Sequence, residues 1–521
     1  METMMKYRNP VIPGFYPDPS VCRVGSDFYL VTSSFEYFPG VPVFKSRDLV
    51  QWEQIGHCLT RPEQLPLAGA RSSGGIYAPT IRYHDGRFYM VTTNVTDKGH
   101  FYVWTDDPAG EWSDPIWVQF GDKPGFNDSI DSSLFFDDDG KVYFQCNHLQ
   151  EGIFQFEIDI ETGEHLSETR HLWAGTGGGW PEAPHLYKID GRYYLLIAEG
   201  GTHLTHMVTI ARSDNPWGPF EPCPHNPILT HRSRFHQIQA TGHADLFQAE
   251  DGSWWAVFLA FRWPNTAKYN PRSHHLGRET FLAPVEWRDG WPVIGNNGQI
   301  ELEMEVDHLP GRPAALDQSP QPTFDDFTQP KLPLYWNFLR NPRAEDWSLT
   351  EKPGTLTLHG SAVTLNDVDS PAFIGRRQQH VDCVVSTTVD FEPAQDNEEA
   401  GLTVLMNEQH HYEIAITRRD GQRSVIFRQR IGPFLQAELA CEPIGEGTVT
   451  LRIEANTLTY RFQYAVAGGE FRELGTGTVH HLSTEVAGGF TGVYFGMYAT
   501  GNGQRSTTPA HFINFEYLPK R

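Results

Sequence analysis

The sequence predicts an all-β chain, with a five-bladed β-propeller over residues 1–310 followed by a β-sandwich over residues 311–521. Three observations carry that prediction. Glycine and proline are plentiful, at 48 and 37 residues, and aromatic side chains make up 13% of the chain, which suits many short strands joined by turns. One hairpin unit recurs five times before residue 310. Beyond a proline-rich stretch around residues 309–333, alternating apolar and polar runs take over.

The repeating unit is a strand, a tight turn and an aromatic strand. Its copies begin at Asp18, Ala78, Asp131, Glu182 and His243, and their turns are read at Ser26-Asp27, Asp85-Gly86, Asp139-Gly140, Asp190-Gly191 and Asp251-Gly252. Asp-Gly is a strong hairpin signal, because a two-residue type I′ turn needs positive φ at both central positions. The second half of the unit repeats as well, at Ser46–Trp52, Thr105–Trp112 and Ser213–Phe220. A period of about 50 to 60 residues is that of a four-stranded propeller blade. A sandwich with several similar hairpins is the rival architecture, and the regular self-similarity favours the propeller.

The second half contains Thr355–Leu358, Val384–Val389, Tyr412–Ile416 and Thr448–Ile453, all with the period of half-buried strands. At 521 residues the chain is long enough for two cores, and two domains are expected.

A net charge of −24 argues against nucleic acid, whose binding needs Lys and Arg to neutralise phosphates. The six cysteines stand singly with no C-x-x-C pair, which excludes zinc ribbons and redox motifs and suggests reduced core thiols. The start, Met1 to Pro10, carries no apolar leader, and no run approaches membrane-spanning length. The expectation is a soluble cytoplasmic protein, with no nucleic acid and no membrane as partner. Self-association into a homo-oligomer stays open. No G-x-S-x-G, H-E-x-x-H or P-loop occurs, so serine hydrolase, zincin and NTPase readings lack support. The glycine run Gly175–Gly179 opens no helix and is read as a flexible approach to Glu182 rather than a phosphate cradle.

When the copies are aligned on Val21, Ile81, Leu134, Leu186 and Leu246, Asp18, Ala78, Asp131, Ala183 and His243 become equivalent, with Glu182 one residue earlier. Equivalent residues of successive blades lie around one ring about the propeller axis. Asp18, Asp131, Glu182 and His243 therefore face a common space. Each alone has a structural reading, as turn-forming acids or a core histidine. Three carboxylates on one ring raise one another's pKa by like-charge repulsion, an arrangement that chemistry explains better than structure. Glycoside hydrolysis needs such groups: a protonated acid for the leaving oxygen, and an ionised partner to activate water or attack carbon.

Residues 8–310 closely resemble glycoside hydrolase family 43, in its β-xylosidase and α-L-arabinofuranosidase group. The resemblance rests on Asn9-Pro-Val-Ile-Pro-Gly-Phe-Tyr-Pro-Asp-Pro-Ser20, Ser33-Ser-Phe-Glu-Tyr-Phe-Pro-Gly40, Gly75-Ile-Tyr-Ala-Pro79, Asp131-Ser-Ser-Leu-Phe-Phe136, Glu182-Ala-Pro-His185, Thr241-Gly-His-Ala-Asp245 and Leu276-Gly-Arg-Glu-Thr280, in the family's order. It implies that Asp18 is the general base, Glu182 the general acid, and Asp131 the residue that tunes the acid. It also implies inversion at the anomeric carbon, with base and acid roughly 6.5 to 9.5 Å apart. Arg278 matches an arginine that reaches the sugar's hydroxyls, its rival reading being an ion pair with a neighbour such as Glu279. Phe35 and Tyr77 match aromatic walls of the sugar pocket, the latter where many relatives carry tryptophan. His243 matches an axial histidine beside which some members hold calcium, and no cofactor is required. The second half resembles the jelly-roll-like, concanavalin A-like sandwich attached to such enzymes, packed on the propeller, with residues Phe490 to Met497 closing one side of the pocket.

These implications describe an exo-acting, inverting glycoside hydrolase that releases xylose from non-reducing ends of β-1,4-xylo-oligosaccharides, with room for a side activity on α-L-arabinofuranosides, its partner a small neutral oligosaccharide. An α-L-arabinofuranosidase is the enzymatic alternative, and a non-catalytic carbohydrate-binding propeller the alternative of another class.

Overall fold

The computed structural model describes residues 4–120, 128–264 and 272–520. Its first half contains the five expected blades, each an antiparallel meander of strands close in sequence. The innermost strands are Ser20–Val24, Thr80–His84, Ile130–Phe136, Glu182–Ile189 and Ile238–Gln248. They lie against one another in a closed cycle about the axis, the fifth returning to the first.

Ring closure is done by side chains and a clasp. Asp245 of the fifth blade accepts hydrogen bonds from the Ser20 hydroxyl (2.7 Å) and the Val21 amide (3.1 Å) of the first. It also pairs with Arg82 of the second blade at 2.8 Å and accepts from the Tyr187 hydroxyl of the fourth at 2.6 Å. Burial favours the neutral acid, but Arg82 and its hydrogen-bonding neighbours outweigh that and hold the Asp245 carboxyl below its ordinary range. The N-terminal segment runs along the fifth blade, where Asn9 exchanges two hydrogen bonds with the backbone of Leu282, both 2.9 Å.

The hairpin turns are more varied than the Asp-Gly signal suggests. Asp85-Gly86 and Asp190-Gly191 have positive φ at both residues, as type I′ turns require. At Asp139-Gly140 only the glycine does, and the loop is closed by the Asp137 amide donating to the Lys141 carbonyl at 2.9 Å. The Asp251-Gly252 loop repeats this with Ala249 and Ser253. Both have one residue too many for a type I′ turn and place glycine at the left-handed position of a longer loop. In the first blade the turn is Gly25-Ser26, and Asp27 already pairs with Val24. The Ser/Thr that opens each second-half repeat closes the following turn, with Ser46, Thr105 and Ser213 accepting from the amides of Leu49, Asp107 and Asn215.

The second half is a sandwich of two eight-stranded sheets. Strands Cys383–Asp390 and Val449–Ala455 alternate buried and half-buried residues, as expected of a sheet with one wet face. The strand that holds Tyr412–Ile416, His410–Arg419, does not: its first eight residues are all buried. The reason is that its sheet is covered on the outside by the propeller. Phe15, Phe35 and Tyr37 from the propeller pack with Phe373, Leu405, Tyr494 and Tyr498 from that sheet in one apolar cluster. Tyr37 and Tyr494 stack with centroids 3.9 Å apart. The propeller also contributes a short strand, Tyr37–Phe38, which pairs with Asn337–Leu339 at the edge of the same sheet.

Of the cysteines, five are buried and Cys441 is exposed on the outer strand Leu435–Pro443, so it is not a core thiol. Among the described residues no helix is long and apolar enough to cross a membrane.

Replacing Asp245 with alanine removes the acceptor shared by three blades and leaves the Arg82 guanidinium partly buried without its carboxylate. Urea denaturation of Asp245→Ala is expected to show a loss of about 3 kcal/mol, more than a surface Asp→Ala change produces.

Candidate active site

The pocket opens on the propeller axis where the innermost strands begin. Asp18, Asp131, Glu182 and His243 all line it, with Phe35, Tyr77, Ala78, Ile130, Thr202, Arg278 and Phe490. The space it encloses is about 380 Å³, including its open mouth, which is small among ligand pockets.

Backbone conformation explains how the acids come to point inward. Asp18, Asp131, Ala183 and His243 have φ of 53°, 56°, 55° and 50°, the left-handed region, at equivalent positions of four blades. In three of these blades the pairing register slips at that point, as at a β-bulge, between Ile130 and Ser133, Glu182 and His185, and Gly242 and Asp245. A bulge bends the strand and re-aims a side chain that regular pleating would send elsewhere. Asp and His tolerate this conformation better than most residues. Gly242 is required for a related reason: a Cβ there would lie 2.2 Å from the His206 ring.

Asp18 is buried and held from three sides. Arg278 donates to it from Nη1 at 2.8 Å and from Nη2 at 3.4 Å. The Ser33 hydroxyl also donates to it, and His243 Nδ1 lies 3.6 Å away. Burial alone raises its pKa, but Arg278, His243 and Ser33 together hold it below the usual carboxylate value. Asp131, also buried, accepts the Ala183 amide at 3.1 Å. Burial pushes its carboxyl up, and repulsion from Asp18 adds to this against the pull of His243 and the Ala183 amide. Glu182 is pushed well above its ordinary value by burial, then by Asp131 and Asp18, with Arg278 opposing. Three carboxyl groups of one pocket are thus driven apart in acidity, with Asp18 shifted towards the ionised form and Glu182 towards the protonated one.

Arg278 does not pair with Glu279. That acid is taken by Arg262, at 2.7 and 2.8 Å, and by the Gly14 amide. Besides Asp18, Arg278 Nη1 donates to the Thr202 hydroxyl at 3.0 Å and Nη2 to the Phe490 carbonyl at 3.3 Å. Its Nη groups thus already have protein partners, so it holds Asp18 first and faces the pocket second. Phe35 is a buried wall, with centroids 5.2 Å from Tyr77 and 6.0 Å from Phe490. The Tyr77 hydroxyl donates to the Ser73 carbonyl at 3.1 Å.

Phe490 comes from the sandwich. Its amide donates to the Ser73 hydroxyl at 2.8 Å, and Val493 donates to the His275 carbonyl at 2.9 Å, so residues 490–493 clamp the segment that carries Arg278. Of the expected closing segment only Phe490 lines the pocket, because Phe495 and Met497 point into the sandwich core. Ser33 and Thr202 were not singled out from the sequence, since a lone hydroxyl in a loop carries no signal until its partner is known.

The glycine run before Glu182 is not a flexible approach. Buried Glu199 accepts from the amides of Thr176 and Gly178, both at 2.9 Å, and from the hydroxyls of Thr176 and Thr209. Glycine is needed because a Cβ at Gly175 would lie 2.6 Å from the Glu199 carboxyl group.

Among the described residues no set of three or more His, Cys, Asp and Glu side chains is arranged to hold a metal ion. The carboxylate oxygens nearest His243 are directed at Arg278, Ser33 and Ala183, and do not form the cage of six to eight oxygens that calcium prefers.

Residues 7–292 match the family described as glycosyl hydrolases family 43, and residues 324–518 match the β-xylosidase C-terminal concanavalin A-like domain. The non-reducing end α-L-arabinofuranosidase BoGH43B of Bacteroides ovatus is 48% identical over 98% of this chain and 94% of its own length. A xylosidase/arabinosidase of Butyrivibrio fibrisolvens is 39% identical over 99% of both chains. Among solved structures, a xylan β-1,4-xylosidase of Bacillus halodurans superposes with a TM-score of 0.90 at 33% identity, covering 98% of this chain and all of the other. The carboxylate pocket, the five blades, the attached sandwich and these matches agree, and the chain belongs to glycoside hydrolase family 43.

Proposed function

We propose that the protein removes a single pentose from the non-reducing end of a short oligosaccharide by single-displacement inversion, with β-1,4-linked xylose as the leading substrate. The observation that carries this reading is the divergence in acidity among three carboxyls of one pocket, Asp18 below its ordinary range and Glu182 well above. In this reading Asp18 is the general base: ionised at neutral pH, it takes a proton from the water that attacks the anomeric carbon. Glu182 is the general acid and gives its proton to the departing oxygen. Asp131 is a positioning residue, whose charge helps to keep Glu182 protonated and whose carboxylate fixes the Ala183 amide beside it. Phe35, Tyr77 and Phe490 supply apolar area against the sugar, and His243 and Arg278 hold the base. A small pocket with one open mouth supports exo action on one terminal residue. The calcium suggested by the resemblance is assigned no part in this chemistry.

The names of the relatives favour a second substrate. The Bacteroides ovatus relative at 48% identity is named an α-L-arabinofuranosidase, and the Butyrivibrio one carries both activities in its name. The reading therefore includes α-L-arabinofuranosides, whose ring offers the same pocket a similar set of hydroxyls.

Following the first-released sugar by NMR is expected to show inversion, α-xylose from a β-xyloside. Release of the β-anomer first overturns the mechanism. Glu182→Ala is expected to lower kcat for a disaccharide by about 10²–10⁴-fold and far less for a glycoside with a good leaving group, which needs no proton. The profile of kcat/KM against pH is expected to be bell-shaped, its acid limb set by protonation of Asp18 and its alkaline limb by loss of the Glu182 proton. In Asp131→Asn one source of repulsion is gone, the pKa of Glu182 falls, and the alkaline limb moves to lower pH. An unmoved limb would mean that Asp131 does not tune the acid.

A further inference from the structure

Trp180 lies two residues before Glu182 and has no structural explanation in the core. It is 47% exposed and belongs to none of the apolar clusters. Its φ is 54°, a left-handed conformation that disfavours a bulky side chain. The loop nevertheless holds it there. The Trp180 amide donates to the Gln150 side chain at 2.8 Å, the Gly200 amide donates to the Gly179 carbonyl at 2.6 Å, and Glu199 anchors the glycines before it. The indole lies over Gly201, where a Cβ would be 3.3 Å from its Cδ1. The next residue, Thr202, lines the pocket and receives a hydrogen bond from Arg278. The two loops that hold the indole also carry exposed Leu149 and Leu204. Trp180, Leu149 and Leu204 thus present apolar side chains to solvent from the loops around the pocket residues Glu182 and Thr202.

We propose that Trp180 is the platform for the leaving group, stacking its indole against the apolar face of the sugar that departs. This rests on the assignment of Glu182 as general acid. The acid must stand beside the glycosidic oxygen, so the unit on the far side of that oxygen leaves past the residues next to Glu182 in the chain. An indole fixed on a tethered loop offers a pyranose face a flat apolar surface at little entropic loss. The terminal pentose is then held by Phe35, Tyr77 and Phe490, and the unit beyond it by Trp180. Trp180 thereby favours oligosaccharides over glycosides with small aglycones.

The test compares substrates that share a pentose but differ beyond it. β-1,4-Xylobiose is paired with β-D-xylopyranosyl fluoride, and α-L-arabinofuranosyl-1,3-xylose with α-L-arabinofuranosyl fluoride. The fluorides have nothing to stack. In Trp180→Ala, and in Trp180→Asn, which suits the left-handed backbone, kcat/KM for the disaccharide is expected to fall roughly tenfold. The fluoride is expected to keep its wild-type value within about twofold, and Trp180→Phe to recover most of the loss. A parallel fall for both substrates, or no fall in either, overturns the proposal while leaving the general acid in place. A wild-type protein that turns over none of the four overturns the pentosidase reading and this one with it.

Discussion

The pocket depends on how Arg278 and Asp18 share charge. Crowding three carboxyl groups around one small space, two of them buried, is unfavourable unless some are neutral or paired. Arg278 makes the difference by donating from both Nη groups to Asp18, so that one acid is stabilised as a carboxylate while Glu182, half-buried next to two acids, is driven towards its protonated form. The same pair that keeps the site electrostatically tolerable therefore sets Asp18 and Glu182 apart in acidity. His243, close to both Asp18 and Asp131, sits between the two acids.

That pair is held by the whole architecture. Asp18 comes from the first blade and Arg278 from the segment that leads into the third strand of the fifth, Glu279–Arg288, so their contact is possible only when the ring is closed. Closure in turn relies on Asp245, which links the first, second, fourth and fifth blades below the pocket. The sandwich adds the last constraint: the Phe490 carbonyl accepts from the Arg278 side chain, Val493 donates to His275 just before it, and the strand Tyr37–Phe38 ties the wall residue Phe35 into a sandwich sheet. The second domain is thereby a wall of the pocket, and the packing of the propeller on that sheet explains why the strand His410–Arg419 is buried on both faces where a wet face was expected.

Much of this was legible in the sequence because repetition is. Five copies of one hairpin define the blades, and their alignment alone brings Asp18, Asp131, Glu182 and His243 to one end of one ring. The turns were less legible. An Asp-Gly pair signals a hairpin, but its type depends on how many residues lie between the last paired positions, and at Asp139-Gly140 and Asp251-Gly252 that number differs. The glycine run before Glu182 was misread as flexible because glycine suggests freedom, whereas here the missing side chains make room for Glu199.

What the sequence by itself determined is the set of acids and the ring they occupy, since both follow from a period in the chain. What only the tertiary structure decided is how far each acid's acidity is shifted, and what surrounds it. Ser33, Thr202, Arg278 and Phe490 reach the pocket from four separate parts of the chain, and their meaning lies in distances to Asp18 and to one another. Acidity is set by burial and by neighbouring charge within a few ångströms. Those are properties of the folded pocket, which no spacing along the chain encodes.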